Sequence, residues 1–288
     1  VLTRAHLQDP MFRRSPICHK GDFGRVVILC GSRGMAGAAA LCANAAMRAG
    51  AGLTTIICRE SLLPILQTLA PGATCAVLPE KDGLILSGTL PVARRALEMA
   101  DAACIGCGLG QAPDVLPLLR LFREAACPVV WDADALNLLA RTDDMLPLKE
   151  ADVITPHPGE AARLLGMTVA DVTADAVASA ALLREKYGAS VVLKGAASVL
   201  MAPQGAALNV LGTPAMGKGG SGDALTGVLC ALLAEQERSG QPVDVLAALQ
   251  AGCGLHGLAG CAAEERYGLR GVLATDLCME LGRVAAER

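Results

Sequence analysis

The sequence predicts an α/β fold, a mostly parallel central sheet with helices on both faces. Strand-like and helix-like apolar runs alternate along the chain, and glycine-rich loops follow the strand-like runs. No linker, repeat or low-complexity segment interrupts the pattern, so residues 1–288 are expected to form one domain. In such folds ligands bind outside the carboxyl ends of the strands, where these glycine loops fall.

Residues 25–30 form the first strand-like run, and Gly31, Gly34 and Gly37 punctuate the loop after it. Residues 38–48 are Ala-rich and helical, closed by Gly50, and the β-branched residues 53–58 read as a strand. Ser61 is placed to cap a short helix, and Thr89 another with Pro91 in its first turn. A strand over 102–106 leads into Gly106, Gly108 and Gly110, and a helix follows Pro113. Strands over 128–131 and 152–155 come next, then a helix after Pro158 and a longer amphipathic helix over 168–187 that stops at Gly188. Strands are expected over 190–194, 198–202 and 206–210, the last two joined by a turn at residues 203–205, and two or three helices finish the chain.

Composition narrows the function classes. The chain is 53% hydrophobic but only 2% aromatic, so its core is built from Ala, Val, Leu and Ile, and base-stacking platforms are scarce. A net charge of −3 without a basic run points away from nucleic acid and anionic membrane surfaces. The polar N-terminus, with Arg13, Arg14 and Pro16, does not read as a secretory signal. Residues 245–263 are uncharged if His256 is neutral, but Gln250, His256 and four glycines mark a closely packed core helix, not a membrane span. The 12 cysteines are scattered through apolar runs and read as small buried hydrophobes of a cytoplasmic protein. Cys104 and Cys107 are one isolated Cys-x-x-Cys pair, for which packing is expected rather than metal binding.

The most informative stretch is residues 212–227, GTPAMGKGGSGDALTG. Gly212 to Lys218 imitates the start of a Walker A loop, but Gly219 replaces the Ser or Thr that binds Mg²⁺, and the helix starts several residues too late. Gly219, Gly220, Ser221 and Gly222 instead run into Asp223 and a helical apolar pattern. Glycines let backbone N–H groups converge on an anion at the positive end of the helix, and Asp223 puts a base beside them. An anion cradle with a base implies phosphoryl transfer.

Four further clusters follow strands. Gly106-Cys-Gly-Leu-Gly110 lacks the spacing of a dinucleotide fingerprint and reads as a backbone-lined ligand wall. Asp132 and Asp134 could bind a metal or hydroxyls, or one of them could cap a helix. His157 and Glu160 sit three apart at a helix start fixed by Pro158 and Gly159, and read as functional. Lys194 opens a turn, Lys194-Gly195-Ala196-Ala197-Ser198, whose glycine lets a ligand approach the backbone. Lys194 alone could equally be a solvated charge.

Taken together, His19-Lys-Gly21, Gly31-Ser32 with Gly37-Ala38-Ala39, Arg48 to Leu53, Ile105 to Gly110, Asp132 to Asn137, Thr155 to Glu160, Lys194-Gly195 and Met216 to Asp223 resemble the ADP/ATP-dependent NAD(P)H-hydrate dehydratases of the ribokinase-like superfamily. The resemblance covers most of the chain and implies a three-layer sandwich. It implies a metabolite-repair enzyme that returns the S-epimer of hydrated NADH or NADPH to NADH or NADPH. The ring hydroxyl is phosphorylated by ADP, giving AMP, or by ATP, with Mg²⁺, and phosphate is then eliminated. Asp223 would take the hydroxyl proton, and the amides of Gly220, Ser221 and Gly222 would hold the transferring phosphoryl group. Lys194, Gly195, Ala196, Ala197, Ser198 and Gly222 would contact the nucleotide. Ala38, Gly108, His157 and Asp223 would contact the hydrated dinucleotide, and Glu160 would join the Mg²⁺–phosphate network. Family members are often oligomers, so a homo-oligomer is implied, with a tetramer among the states to expect.

The chain departs from the family at Thr213-Pro-Ala-Met216, often Asn-Pro-Gly-Met, and at Cys107, often Pro. Many bacterial members also carry an N-terminal epimerase domain. About two dozen residues precede Gly24, so the dehydratase alone is expected. The alternative enzyme is a ribokinase-like kinase of a small alcohol such as a vitamin precursor, which shares the glycine–Asp motif. Asp132 to Asn137 and His157 to Glu160 favour the dehydratase, and an intact Asp223 argues against a nucleotide-binding regulator without catalysis.

Overall fold

The computed structural model describes residues 1–2, 14, 16–142 and 147–286, and Arg13 lies outside them. The strands are β1 (Arg25–Leu29), β2 (Leu53–Arg59), β3 (Thr74–Leu78), β4 (Glu80–Lys81), β5 (Leu84–Ile85), β6 (Ala102–Ile105), β7 (Val129–Trp131), β8 (Val153–Ile154), β9 (Ser190–Leu193), β10 (Ser198–Ala202) and β11 (Gly205–Asn209). The helices are α1 (Ala36–Ala49), α2 (Leu63–Leu69), α3 (Leu90–Glu98), α4 (Leu116–Arg123), α5 (Asp134–Leu139), α6 (Pro158–Leu165), α7 (Val169–Ala174), α8 (Ala176–Tyr187), α9 (Ser221–Arg238), α10 (Val245–Tyr267) and α11 (Ala274–Ala286).

Nine strands form one sheet in the order β11-β10-β9-β8-β7-β6-β1-β2-β3, and β4 pairs with β5 as a separate hairpin. The sheet is parallel from β3 to β9, and β10 runs antiparallel to both its neighbours. The strand order reverses at β1. The chain runs outward through β2 and β3, then returns to place β6 on the other side of β1. The crevice at this reversal is where a doubly wound sheet receives its ligand.

The strands are apolar at successive positions because both faces are covered. Val26, Ile28, Ile56, Cys104 and Val130 face one layer, with α1, α9, α10 and α11. Val27, Ile57, Ile105, Val129 and Trp131 face the other, with residues of α3, α4, α5, α6 and α8. The alternation follows the two-residue period of a strand. Helix α10 is long and apolar enough to cross a membrane, but 72% of its apolar window is buried inside the protein, as a core helix requires. Gly227 in α9 leaves no room for a side chain. A Cβ there would lie 2.1 Å from the Cys42 carbonyl oxygen, so α9 and α1 meet backbone to backbone.

The structure departs from the sequence expectation in four places. The helix expected over 168–187 is two helices, broken at Asp175, whose backbone is non-helical (φ −140°, ψ 86°). Thr168 caps α7 in a capping box with Asp171, and the Asp175 carboxylate accepts from the Ala178 amide to start α8. Ser61 lies inside a short 3₁₀ turn and does not cap α2. Thr89 holds the cap position of α3, but its hydroxyl donates back to the Leu86 carbonyl. Strands β3, β4 and β5 are additional. Edge strand β3 is mostly part-exposed, and the other two have only two residues each, so their apolar patterns are weak.

The exposed Asp175→Ala substitution removes a helix cap. It should cost about 1 kcal/mol in urea unfolding, without touching the strand ends. An unchanged midpoint would mean that packing of Ser179 and Leu183 alone starts α8.

Candidate active site

Successive parallel strands release their chain into one region. Gly31 follows β1, Gly106 to Gly110 follow β6, Asp132 follows β7, Thr155 to His157 follow β8, and Lys194 follows β9. The N-terminus of α9 enters the same region. Gly220 has φ +94°, and a Cβ there would lie 2.7 Å from Leu41 Cδ1 and 2.9 Å from Ala274 Cβ. Only glycine makes that entry. The following amides are the first of α9, where N–H groups lack intrahelical partners and attract anions.

Asp132 organises this floor. Its carboxylate is almost fully buried and accepts from Lys194 Nζ at 2.8 Å and Thr226 Oγ1 at 2.9 Å, and from the Ala133 amide at 2.9 Å. Cys107 Sγ donates weakly to the same carboxylate at 3.8 Å. One side chain thus ties β7, β9, α9 and the glycine loop together. Ala133 is held at φ +50°, an uncommon conformation for a residue with a side chain, of the kind that collects at functional sites. Asp134 does not cap α5. Its oxygens accept from the Gly110 amide at 2.8 Å and Gln111 Nε2 at 3.0 Å, pinning the glycine loop.

Lys194 Nζ also lies 3.9 Å from buried Glu160. Burial by itself would depress the Lys194 ammonium, but the Asp132 and Glu160 carboxylates outweigh that and hold it above its ordinary pKa. Glu160 and His157 form a capping box on α6. Glu160 accepts from the His157 amide at 2.8 Å, and His157 Nδ1 accepts from the Gly159 and Glu160 amides at 3.0 and 3.3 Å. The imidazole edge stays about half exposed, with Nε2 3.4 Å from Glu160.

Asp223 sits in the first turn of α9. Burial, with Cys30 and Asp132 nearby, pushes its carboxyl up to about 6, against a smaller opposing pull from Cys107 and Lys194. That value suits a base near neutral pH. A cavity of about 500 Å³ opens on the Lys194 side of this turn, lined in part by Gly195, Ala196, Ser198, Ser221 and Gly222. Ala197 is exposed on the same turn but is not one of the lining residues. Ala38 and Gly108 are not among the lining residues but meet each other, since a Cβ on Gly108 would lie 3.0 Å from Ala38 Cβ.

The sequence reading missed the residues that hold the cavity from behind. Among them are Asn209, whose amide donates to the Leu211 and Cys253 carbonyls, and His256 of α10. His256 Nε2 lies 2.9 Å from the Ser221 carbonyl, which can only accept, so Nε2 carries the proton. Burial pushes His256 down to about 4, and it stays neutral. Its signal was present, a lone ring in the uncharged stretch over 245–263, but that position also suits a core helix.

The profile of the NAD(P)H-hydrate dehydratase family matches residues 26–283. The bifunctional NAD(P)H-hydrate repair enzyme Nnr of Escherichia coli (strain K12) is 41% identical over 272 residues, which are 94% of this chain and 49% of that protein. The chain therefore spans about half the length of the curated relatives it matches. Among solved structures, the ADP/ATP-dependent NAD(P)H-hydrate dehydratase of Bacillus subtilis, co-crystallised with ATP and Mg²⁺, is 30% identical. The match covers 94% of this chain and 92% of that one, with a TM-score of 0.78. The hydroxyethylthiazole kinase of Pyrococcus horikoshii OT3 is 17% identical over 98% and 94% of the two chains. Its TM-score of 0.63 shows a shared ribokinase-like fold alone.

Asp132→Ala should cost about 3 kcal/mol in denaturant unfolding, because it strips Lys194 of its nearest counter-charge and leaves Thr226 without its acceptor. A loss below about 1 kcal/mol would show that Glu160 and solvent replace it.

Proposed function

The chain belongs to the NAD(P)H-hydrate dehydratase family, and from that premise we propose that it dehydrates the S-epimer of hydrated NADH and NADPH at the expense of ADP or ATP. The observation that carries the proposal is Asp223 in the first turn of α9, with a carboxyl raised to about 6, beside a cavity bordered by Lys194 and Gly222.

The Asp223 carboxylate takes the proton from the ring hydroxyl as the hydroxyl oxygen attacks the terminal phosphorus of the nucleotide. The bond from that phosphorus to the bridging oxygen breaks, and AMP leaves from ADP, or ADP from ATP. The amides of Gly220, Ser221 and Gly222 stabilise charge on the transferring group, where losing one such donor costs about 3–4 kcal/mol. The carbon–oxygen bond of the phosphate ester then breaks, phosphate departs, the neighbouring carbon loses a proton and the ring double bond reforms. Lys194, Gly195, Ala196 and Ser198 border the nucleotide, with Ala197 on the outer side of the same turn. Ala38, Gly108 and His157 border the dinucleotide.

A hard cation fits this donor set, since Asp132 and Glu160 are oxygen donors and Mg²⁺ usually takes one or two carboxylates plus substrate phosphates. Lys194 already neutralises Asp132, which leaves Glu160 to hold Mg²⁺ together with the nucleotide, where the ion would screen phosphate charge. A cytosolic location, where all 12 free thiols persist, belongs to the same proposal. So do a single catalytic unit and a homo-oligomeric assembly, measurable by light scattering.

The deciding assay combines purified protein, NADPH hydrate, Mg²⁺ and ADP or ATP. Return of reduced-nicotinamide absorbance with equimolar phosphate supports the reading, and the faster nucleotide identifies the donor. No recovery by protein that binds nucleotide would redirect the search to small alcohols as substrates.

Asp223→Asn should keep the fold and abolish turnover, and wild-type kcat/KM should rise with pH through about 6 and then level, because the base must be ionised. A limb near the ordinary carboxylate range, or a fully active variant, would remove Asp223 from the role. His256→Leu should lower kcat by up to about a hundredfold with little change in KM for the hydrated dinucleotide. His256→Gln, which keeps a donor for Ser221, should recover much of the loss. Equal losses in the two variants would assign His256 to packing.

A further inference from the structure

The cysteines that look scattered in sequence converge in space. Cys30 directly follows β1, Cys42 lies in α1 and Cys104 in β6, and all three are fully buried. Their sulfur atoms lie within 4.8 Å of one another, with Cys42 and Cys104 only 3.4 Å apart. Buried Cys107 and Cys230 lie close enough to perturb the thiols of Cys30 and Cys104 respectively. We propose that Cys30, Cys42 and Cys104 form a binding site for one soft, thiophilic divalent cation of the Zn²⁺ or Cd²⁺ type.

The geometry carries the proposal. An equilateral triangle with sides of 3.4–4.8 Å has its centre about 2.0–2.8 Å from each corner, which brackets the zinc–thiolate bond of about 2.3 Å. An ion therefore fits between the sulfurs with little movement of β1, α1 or β6. Thiolates select soft ions, which separates this site from the oxygen-lined place for Mg²⁺. Ligation breaks three S–H bonds and forms three metal–sulfur bonds. Three protons pass to solvent and no electron moves, so M²⁺ plus three thiols gives a tris-thiolate of net charge −1. Cys107, next to Asp132, is where the cluster meets the active-site floor. The pair singled out by its spacing thus divides, with Cys104 as a ligand and Cys107 at the rim.

The test is independent of the proposed activity. Metal-free, fully reduced protein is titrated anaerobically with Cd²⁺ in the presence of a chelator that masks weak sites, and the ultraviolet thiolate-to-cadmium band is followed. The expected result is saturation at one equivalent, a cation-induced rise in Tm, and loss of both in Cys42→Ala and in Cys30→Ala. Both responses should persist in Cys127→Ala, a buried thiol outside the cluster. Circular dichroism and Tm without metal identify any variant that fails to fold, and the remaining variant then decides. No band in the folded wild type, or the same band in every folded variant, overturns the site.

Discussion

The contact between Asp132 and Lys194 is the constraint on which the rest of the site depends. A buried carboxylate needs a counter-charge and hydrogen bonds on its remaining lone pairs, and Asp132 obtains them from β9, α9 and its own turn. Satisfying one group therefore fixes the relative positions of three otherwise separate segments. The same ammonium reaches Glu160, so the cap of α6 is drawn into the network. Positions that look like independent motifs along the chain are one electrostatic unit.

Helix α9 links that unit to the proposed chemistry. Its first turn carries the amide cradle and Asp223, its Thr226 touches Asp132, and Gly227 seats it against α1 without an intervening side chain. From behind, the neutral His256 ring holds the Ser221 carbonyl. The cradle is therefore gripped from α1, from α10 and from the strand ends, as pre-organised charge stabilisation requires.

Much of this was legible in the sequence because it rests on local signals. The strands β1, β6, β7, β8, β9 and β10 are short, largely apolar runs with glycine or proline close to at least one end, β2 is rich in β-branched residues after Gly52, and Gly219 to Asp223 announce a helix entry with an acid in its first turn. Lys194 was named through the resemblance, its own run leaving it open as a solvated charge, and its partnership with Asp132 was not legible, because the two are 62 positions apart and meet only through strand order. Asp175 illustrates a different limit. Residues 168–187 keep a helix-compatible composition throughout, and only the cap geometry reveals two helices. The cysteines and His256 were hidden for a related reason, since apolar strands and helices give their small and uncharged residues the same appearance wherever those residues converge in space.

The place of α9 in the chain has a consequence for biosynthesis. Strand β1 emerges from the ribosome early, but α9, which covers the sheet face over β1 and β6, follows about two hundred residues later. At about 5–20 residues per second, the apolar face carrying Val26 and Ile28 waits about 10–40 s for its cover. The nascent protein therefore passes through a stage in which α1 alone partly covers that face of the sheet. The first turn of α9 is therefore laid down only late in synthesis.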